Sequence, residues 1–166
     1  IYDEVQTGIG ITGKMWAHQH FCETKCNLEC MSHCKSMEPD IISFGKKTQC
    51  CGIFAGKRLD EIDDHVFKES SRINSTFGGN LVDMVRFTIY LEIMESENLV
   101  DLVSENGSYL LSSLATLQNE ESNVVSNVRG KGLFCAFDLP SSELRNKLIA
   151  KVEEEGALIL GCGHRS

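Results

Sequence analysis

Proline and positive charge are what this 166-residue sequence has least of. With two prolines, punctuation falls to the 14 glycines. Lys plus Arg total 16 against 24 Asp plus Glu, a net charge of -8. That deficit argues against nucleic acid or an anionic membrane surface as the main partner. No apolar run reaches the length of a membrane span; the longest mixed stretch, 81–94, is interrupted by Asp83, Arg86 and Glu92. A basic-then-apolar signal segment, an internal repeat and a low-complexity tract are all missing. What is present is 42% apolar residues, enough for a packed core and too many for a disordered tail. The expectation is a soluble chain forming one domain or pieces of two.

Both ends suggest a longer parent. Ile1-Tyr2-Asp3-Glu4-Val5 reads as a strand entered halfway, and Gly161 to Ser166 stops in a glycine-rich turn. We therefore expect a fragment. The eight cysteines include a regular set, Cys22, Cys26, Cys30 and Cys34, beside Cys50, Cys51, Cys135 and Cys162. Without a secretory signal, reduced thiols are the better default.

Strand and helix patterns alternate, which predicts an α/β fold. Strands are expected at 1–5, 41–44, 53–55, 132–139 and 158–160. Short helices are expected at 14–21 and 59–67, and a second long one at about 97–118. The clearest helix is 81–95, capped by Asn80. Leu81, Val85, Ile89 and Ile93 recur every four residues, and Met84, Phe87, Leu91 and Met94 widen the stripe, so burial on most sides is expected. A last helix should start at Ser141 or Ser142, carry Leu144, Leu148 and Val152 on one face, and stop at Gly156.

Gly8-Ile9-Gly10-Ile11-Thr12-Gly13 fits the dinucleotide-binding spacing, and Gly8 to Lys14 fits a phosphate loop up to Met15, which has no hydroxyl for Mg²⁺. Asp3 and Glu4 just ahead would oppose a pyrophosphate. A tight turn needing positive φ is the preferred reading.

A different group of residues suits chemistry better. Asp3 and Gln6 end one strand, and Lys46 follows the apolar strand 41–44. A right-handed crossover between them would make the strands parallel and bring their carboxyl ends, where ligands bind, to one edge. A carboxylate, an amide and an amine would then face one cleft. That trio suits a pyridine aldehyde cofactor: the lysine as Schiff-base former and proton carrier, the carboxylate keeping the ring nitrogen protonated, the amide on the ring hydroxyl. Spacing alone leaves room for the plainer reading, a solvated lysine and an Asp loop cap.

Asp3-Glu4-Val5-Gln6-Thr7-Gly8, with Thr12-Gly13 after it and Pro39 to Lys46 downstream, resembles the class III pyridoxal-phosphate aminotransferases. Phe44 to Gln49 and Asn74 to Asn80 most resemble the L-lysine 6-aminotransferase branch, while Trp16 to His20 and Arg129 to Cys135 also resemble the 4-aminobutyrate aminotransferase branch. The resemblance implies part of a fold type I large domain over 1–80, a connecting helix at 81–96, and an incomplete small α/β domain over 97–166. It implies pyridoxal 5'-phosphate as cofactor, with Asp3 on the pyridinium nitrogen, Gln6 on the phenolic oxygen and Lys46 as the attachment lysine. Lys47 is a rival, but the family places a small residue directly before the reactive lysine. Thr76 would hold the cofactor phosphate of the neighbouring subunit in a homodimer with shared active sites. The implied reaction passes a distal amine, the ε-amine of L-lysine or else that of 4-aminobutyrate, to the cofactor and on to 2-oxoglutarate. The lysine branch suggests cytoplasm and the other branch, in eukaryotes, the mitochondrial matrix.

Phe21 to Glu38 is longer than the family pattern and carries the four regular cysteines and His33. One straight helix cannot close a tetrahedral zinc site with them, since 12 residues of helix span about 18 Å. Reduced thiols without function are the favoured reading, so no metal is expected. Cys50 and Cys51 are expected to pack behind the lysine, His18 and His20 to belong to a packed turn, and His65 and His164 to lack a partner. The family's upstream phosphate loop and its carboxylate-binding arginine are not in this sequence. A catalytically incompetent piece that only binds or dimerises is therefore the rival class.

Overall fold

The computed structural model describes residues 1–22, 38–73 and 75–163. The cysteine-rich segment after Cys22, with Cys26, Cys30, His33 and Cys34, lies outside them, as do Asn74 and His164. The chain divides into two compact units, 1–102 and 103–166.

In the first unit a three-stranded sheet has the order β1 (Tyr2–Asp3), β2 (Ile41–Phe44), β3 (Gly52–Ala55). β1 and β2 are parallel, with Tyr2 opposite Ile42 and Asp3 opposite Ser43; β2 and β3 are antiparallel, with Phe44 opposite Gly52. Phe44 is buried at the centre of an aromatic cluster. It stacks on Phe54 at 4.7 Å and on Phe87 at 5.7 Å, and meets the edge of Trp16 at 6.5 Å. Such offset and edge-on pairs contribute about 1 kcal/mol each beyond their buried area.

The 14–21 segment forms a 3₁₀ turn over Ala17–Cys22, and the helix expected at 59–67 contracts to a 3₁₀ turn over Lys57–Glu61. The loop at 8–13 is a run of tight turns: Gly10 and Gly13 have φ of 84° and 83°, and the backbone N–H of Gly13 donates to the Gly10 carbonyl at 2.9 Å. This is the turn reading, in which only glycine is comfortable.

Helix α1 (Leu81–Ser96) begins as expected, with the Asn80 side chain accepting from the Val82 amide at 3.0 Å. Its burial does not follow the expectation. No residue of α1 is buried, and Leu81 is 79% exposed. Phe87 finds Phe44, and the Met94 methyl lies over Gly10, but Val82, Val85, Ile89 and Ile93 remain exposed. Periodicity reports which face needs a cover; it does not supply one.

Helix α2 (Leu99–Glu120) runs through the boundary between the units. The second unit then carries the hairpin β4 (Ser126–Lys131) and β5 (Phe134–Asp138), followed by α3 (Ser142–Glu154). The single strand expected at 132–139 is the second arm of this hairpin. Its first arm, Ser-Asn-Val-Arg-Gly-Lys, is too polar to show alternation, and it carries a bulge between Ser126 and Arg129. α3 is capped by the Ser141 hydroxyl, which accepts from the Leu144 amide at 3.2 Å. The strand expected at 158–160 does not form: Leu158 and Leu160 are 85% and 96% exposed, and no described strand pairs with them. An apolar triplet without a neighbouring edge has no ladder to join.

Candidate active site

The parallel register of β1 and β2 brings the predicted carboxylate and lysine to one sheet edge. One Asp3 carboxylate oxygen accepts from the Val5 amide at 3.0 Å and from the Ser43 hydroxyl, directly opposite it, at 2.9 Å. The Val5 bond first, and the Ser43 bond second, hold this exposed carboxyl below the ordinary carboxylate range. The Glu4 amide extends the ladder to the Ser43 carbonyl at 2.9 Å.

Glu4 points the other way along the strand, as the period of two requires. It is 3% exposed and collects four hydrogen bonds. The Thr7 hydroxyl donates at 2.7 Å, the Ala17 amide at 3.0 Å, and His18 by its amide at 2.8 Å and at 3.1 Å through Nδ1. Burial by itself would raise this carboxyl, but the four bonds outweigh it and the net shift is downward. Glu4 thus accepts from the first amides of the 3₁₀ turn at 17–22 and fixes the reversal that follows β1. In the sequence the only signal for this role is an acidic pair followed by a glycine turn.

Three residues beyond Ser43 the chain enters a 3₁₀ turn over Lys46–Thr48. Gly45 is needed there for space: a Cβ at this position would lie 2.8 Å from the Cys51 sulfur. Cys51 therefore backs the residue before Lys46 while remaining exposed, and of the pair only Cys50 is buried beside the turn. Lys46 itself has φ of 57°, and Gln49, at 52°, closes the turn onto the Lys46 carbonyl at 3.1 Å. The buried Thr48 hydroxyl donates to the Cys50 carbonyl at 2.5 Å. From α1, Arg86 donates to the Gln49 amide oxygen at 3.1 Å while meeting Asp83 at 3.2 Å. Ser43, Glu4 and Arg86, none of them predicted, are what brace the site.

The two lysines are treated differently. Lys47 is half-buried and donates from Nζ to the Gln6 carbonyl, whereas Lys46 is exposed and its amine has no bond among the described residues. Burial, and then the charge of Lys46, push the Lys47 amine below the ordinary lysine range, against the pull of Glu4. The Gln6 side chain is exposed at the same edge. Thr76 lies apart, exposed in the loop ahead of α1, with no described hydrogen bond to Asp3, Gln6 or Lys46. His18 and His20 are structural: His18 is on Glu4, and His20 Nε2 meets the Thr12 carbonyl at 3.0 Å. Both ring nitrogens of His65 are buried without a hydrogen bond among the described residues. A cavity of about 220 Å³ in the second unit, walled by Ser126, Asp138 and Leu139, contains none of these residues.

This donor set fits a phosphorylated pyridine aldehyde. Asp3 is an anion held ionised at an open edge, Lys46 a free amine, Gln6 an uncommitted amide and Thr76 an exposed hydroxyl.

Several known proteins resemble this chain along nearly its whole length. The L-lysine-epsilon aminotransferase of Mycobacterium tuberculosis (strain ATCC 25618 / H37Rv) is 44% identical over 163 residues, 98% of this chain and 33% of that protein. The mitochondrial 4-aminobutyrate aminotransferase of Rattus norvegicus is 36% identical over 169 residues, 100% of this chain and 30% of that protein. The solved structure of the lysine aminotransferase from M. tuberculosis superposes with a TM-score of 0.84 at 43% identity, over 98% of this chain and 34% of that one. The chain spans about a third of the length of the curated relatives it matches. The family Aminotransferase class-III matches residues 1–166, the whole sequence, and the chain belongs to that family.

Proposed function

We propose that this chain carries the lysine-bearing part of an ω-aminotransferase that transfers the ε-amino group of L-lysine to 2-oxoglutarate. The observation that carries the reading is the parallel pairing of β1 with β2, which sets an ionised Asp3 and a free Lys46 on one edge of the sheet. The 44% identity to a protein named L-lysine-epsilon aminotransferase supports lysine over 4-aminobutyrate as amino donor, the latter standing at 36%.

Asp3, Gln6 and Lys46 would hold pyridoxal 5'-phosphate, which when bound supplies an electron sink for the carbon that loses its proton. Asp3 stabilises a positive charge on the ring nitrogen, and the Val5 and Ser43 bonds keep it anionic for that task. The Gln6 amide donates to the ring oxygen without adding charge. Lys46 would hold the cofactor through its amine and, when released, would carry a proton at Nζ. Thr76 would donate to the phosphate in the neighbouring subunit of a homodimer. Residues 1–80 would then belong to a large cofactor domain, 81–96 to a connecting helix and 97–166 to a small domain. The lysine reading places the protein in the cytoplasm and the 4-aminobutyrate reading in the mitochondrial matrix; among the described residues no helix is long and apolar enough to cross a membrane.

Borohydride reduction of the cofactor-loaded chain, followed by peptide mass mapping, should label Lys46. A label elsewhere would overturn the assignment. Adding L-lysine should bleach the cofactor absorbance and adding 4-aminobutyrate should not; the opposite result selects the second donor. A folded chain that shows no absorbance change with pyridoxal phosphate would instead make it a binding piece.

A further inference from the structure

Beside the candidate lysine stands a second one whose position is unusual. Lys47 Nζ donates to the main-chain carbonyl of Gln6, 41 residues earlier. It is the described side-chain bond that links the lysine turn directly to the chain just past β1, two residues beyond the last ladder contact at Glu4. The charged groups acting on it are Lys46 on the same turn and Glu4 just past β1. A half-buried ammonium beside another cation is retained at some cost, and a bond from a charged donor is among the stronger ones available to offset it.

Without that bond, nothing described holds the Gln6 carbonyl; Gln6 is the exposed residue of a turn closed by the Gly8 amide on the Glu4 carbonyl at 2.9 Å. We propose that Lys47 is a positioning residue for Gln6: by gripping the Gln6 main chain, it sets the distance and direction in which the Gln6 amide faces the edge occupied by Lys46. Lys47 does not itself touch the reacting atoms. The inference rests on the proposed roles of Lys46 and Gln6, but the tether can be tested without cofactor.

The test uses the full chain with Lys47→Met, which keeps the stem and removes the donor, and Lys47→Arg, which keeps a cation. In the cofactor-free chain, Lys47→Met should speed hydrogen exchange at amides 5–8 by about tenfold, the loss of one good hydrogen bond, and leave α3 unchanged. With pyridoxal phosphate, the same variant should bind about tenfold more weakly and show a shifted absorption band, with the borohydride label still on Lys46. Lys47→Arg should restore both readouts to within about threefold of the starting chain. Unchanged exchange at 5–8 together with an unchanged band would overturn the proposal. If Lys47→Met does not fold, competitive acylation of the unsubstituted chain decides. At a pH high enough to deprotonate both amines, Lys46 should react about tenfold faster than Lys47, whose amine is engaged, and equal rates would overturn the tether. Failure of the borohydride label at Lys46 would remove the site assignment while leaving the exchange and acylation results to judge the tether alone.

Discussion

The carboxylates at the end of β1, in the first unit, and those of α3, in the second, are wired in opposite ways. Asp3 and Glu4 bond to groups up to 40 residues away, at Ser43, Ala17 and His18. In α3 the ion pairs are local and exposed, Lys147 with Glu143 at 2.7 Å and Lys151 with Glu154 at 2.6 Å. A contact between distant segments constrains how the chain folds back on itself, whereas a pair one turn apart on a helix only decorates it. Exposed pairs of the second kind are worth a few tenths of a kcal/mol. Chemistry collects where the polar contacts are long-range, because only there are side chains from separate segments held in one geometry.

The contrast can be broken most forcefully at Glu4. Glu4→Ala would strand the Thr7 hydroxyl and the Ala17 and His18 amides, and should cost the first unit about 3 kcal/mol in urea denaturation. A smaller effect should come from acid. The folded-state pKa of Glu4 is below its ordinary value, so its stabilisation is complete above the unfolded carboxylate range and is lost as pH falls through the depressed value. The urea midpoint should therefore drop below about pH 4.5, and a Glu4→Gln chain should show a flatter profile over that window. Ser141→Ala, which removes the α3 cap, should cost about 1 kcal/mol. Lys147→Ala should change the midpoint least, by about 0.3 kcal/mol, and a loss as large as that at Glu4 would erase the distinction between the two regions.

Part of the candidate site is legible in the sequence. Asp3, Gln6 and Lys46 carried recognisable chemistry, and an apolar crossover strand predicted that their ends would meet, as the parallel register shows. The caps at Asn80 and Ser141 were equally readable, since a cap and its amide are two or three residues apart. The failures have two causes. β4 hides in a polar hexapeptide with no local strand pattern and is visible only through its pairing with β5. The 158–160 triplet has the composition of a strand and no described partner, and α1 has the stripe of a buried helix with an exposed surface; there the local pattern is present and the neighbour is not.

The sequence by itself determined the family, the residue types available for chemistry and the helix and strand segments whose signals are local. Only the tertiary structure decided which carboxylate faces outward and which is buried, and which of two adjacent lysines keeps a free amine. Adjacent residues of the same chemistry are distinguished by what reaches them from across the fold. Ser43 reaches Asp3, and the carbonyl of Gln6 reaches Lys47, each over some forty residues that no local pattern spans.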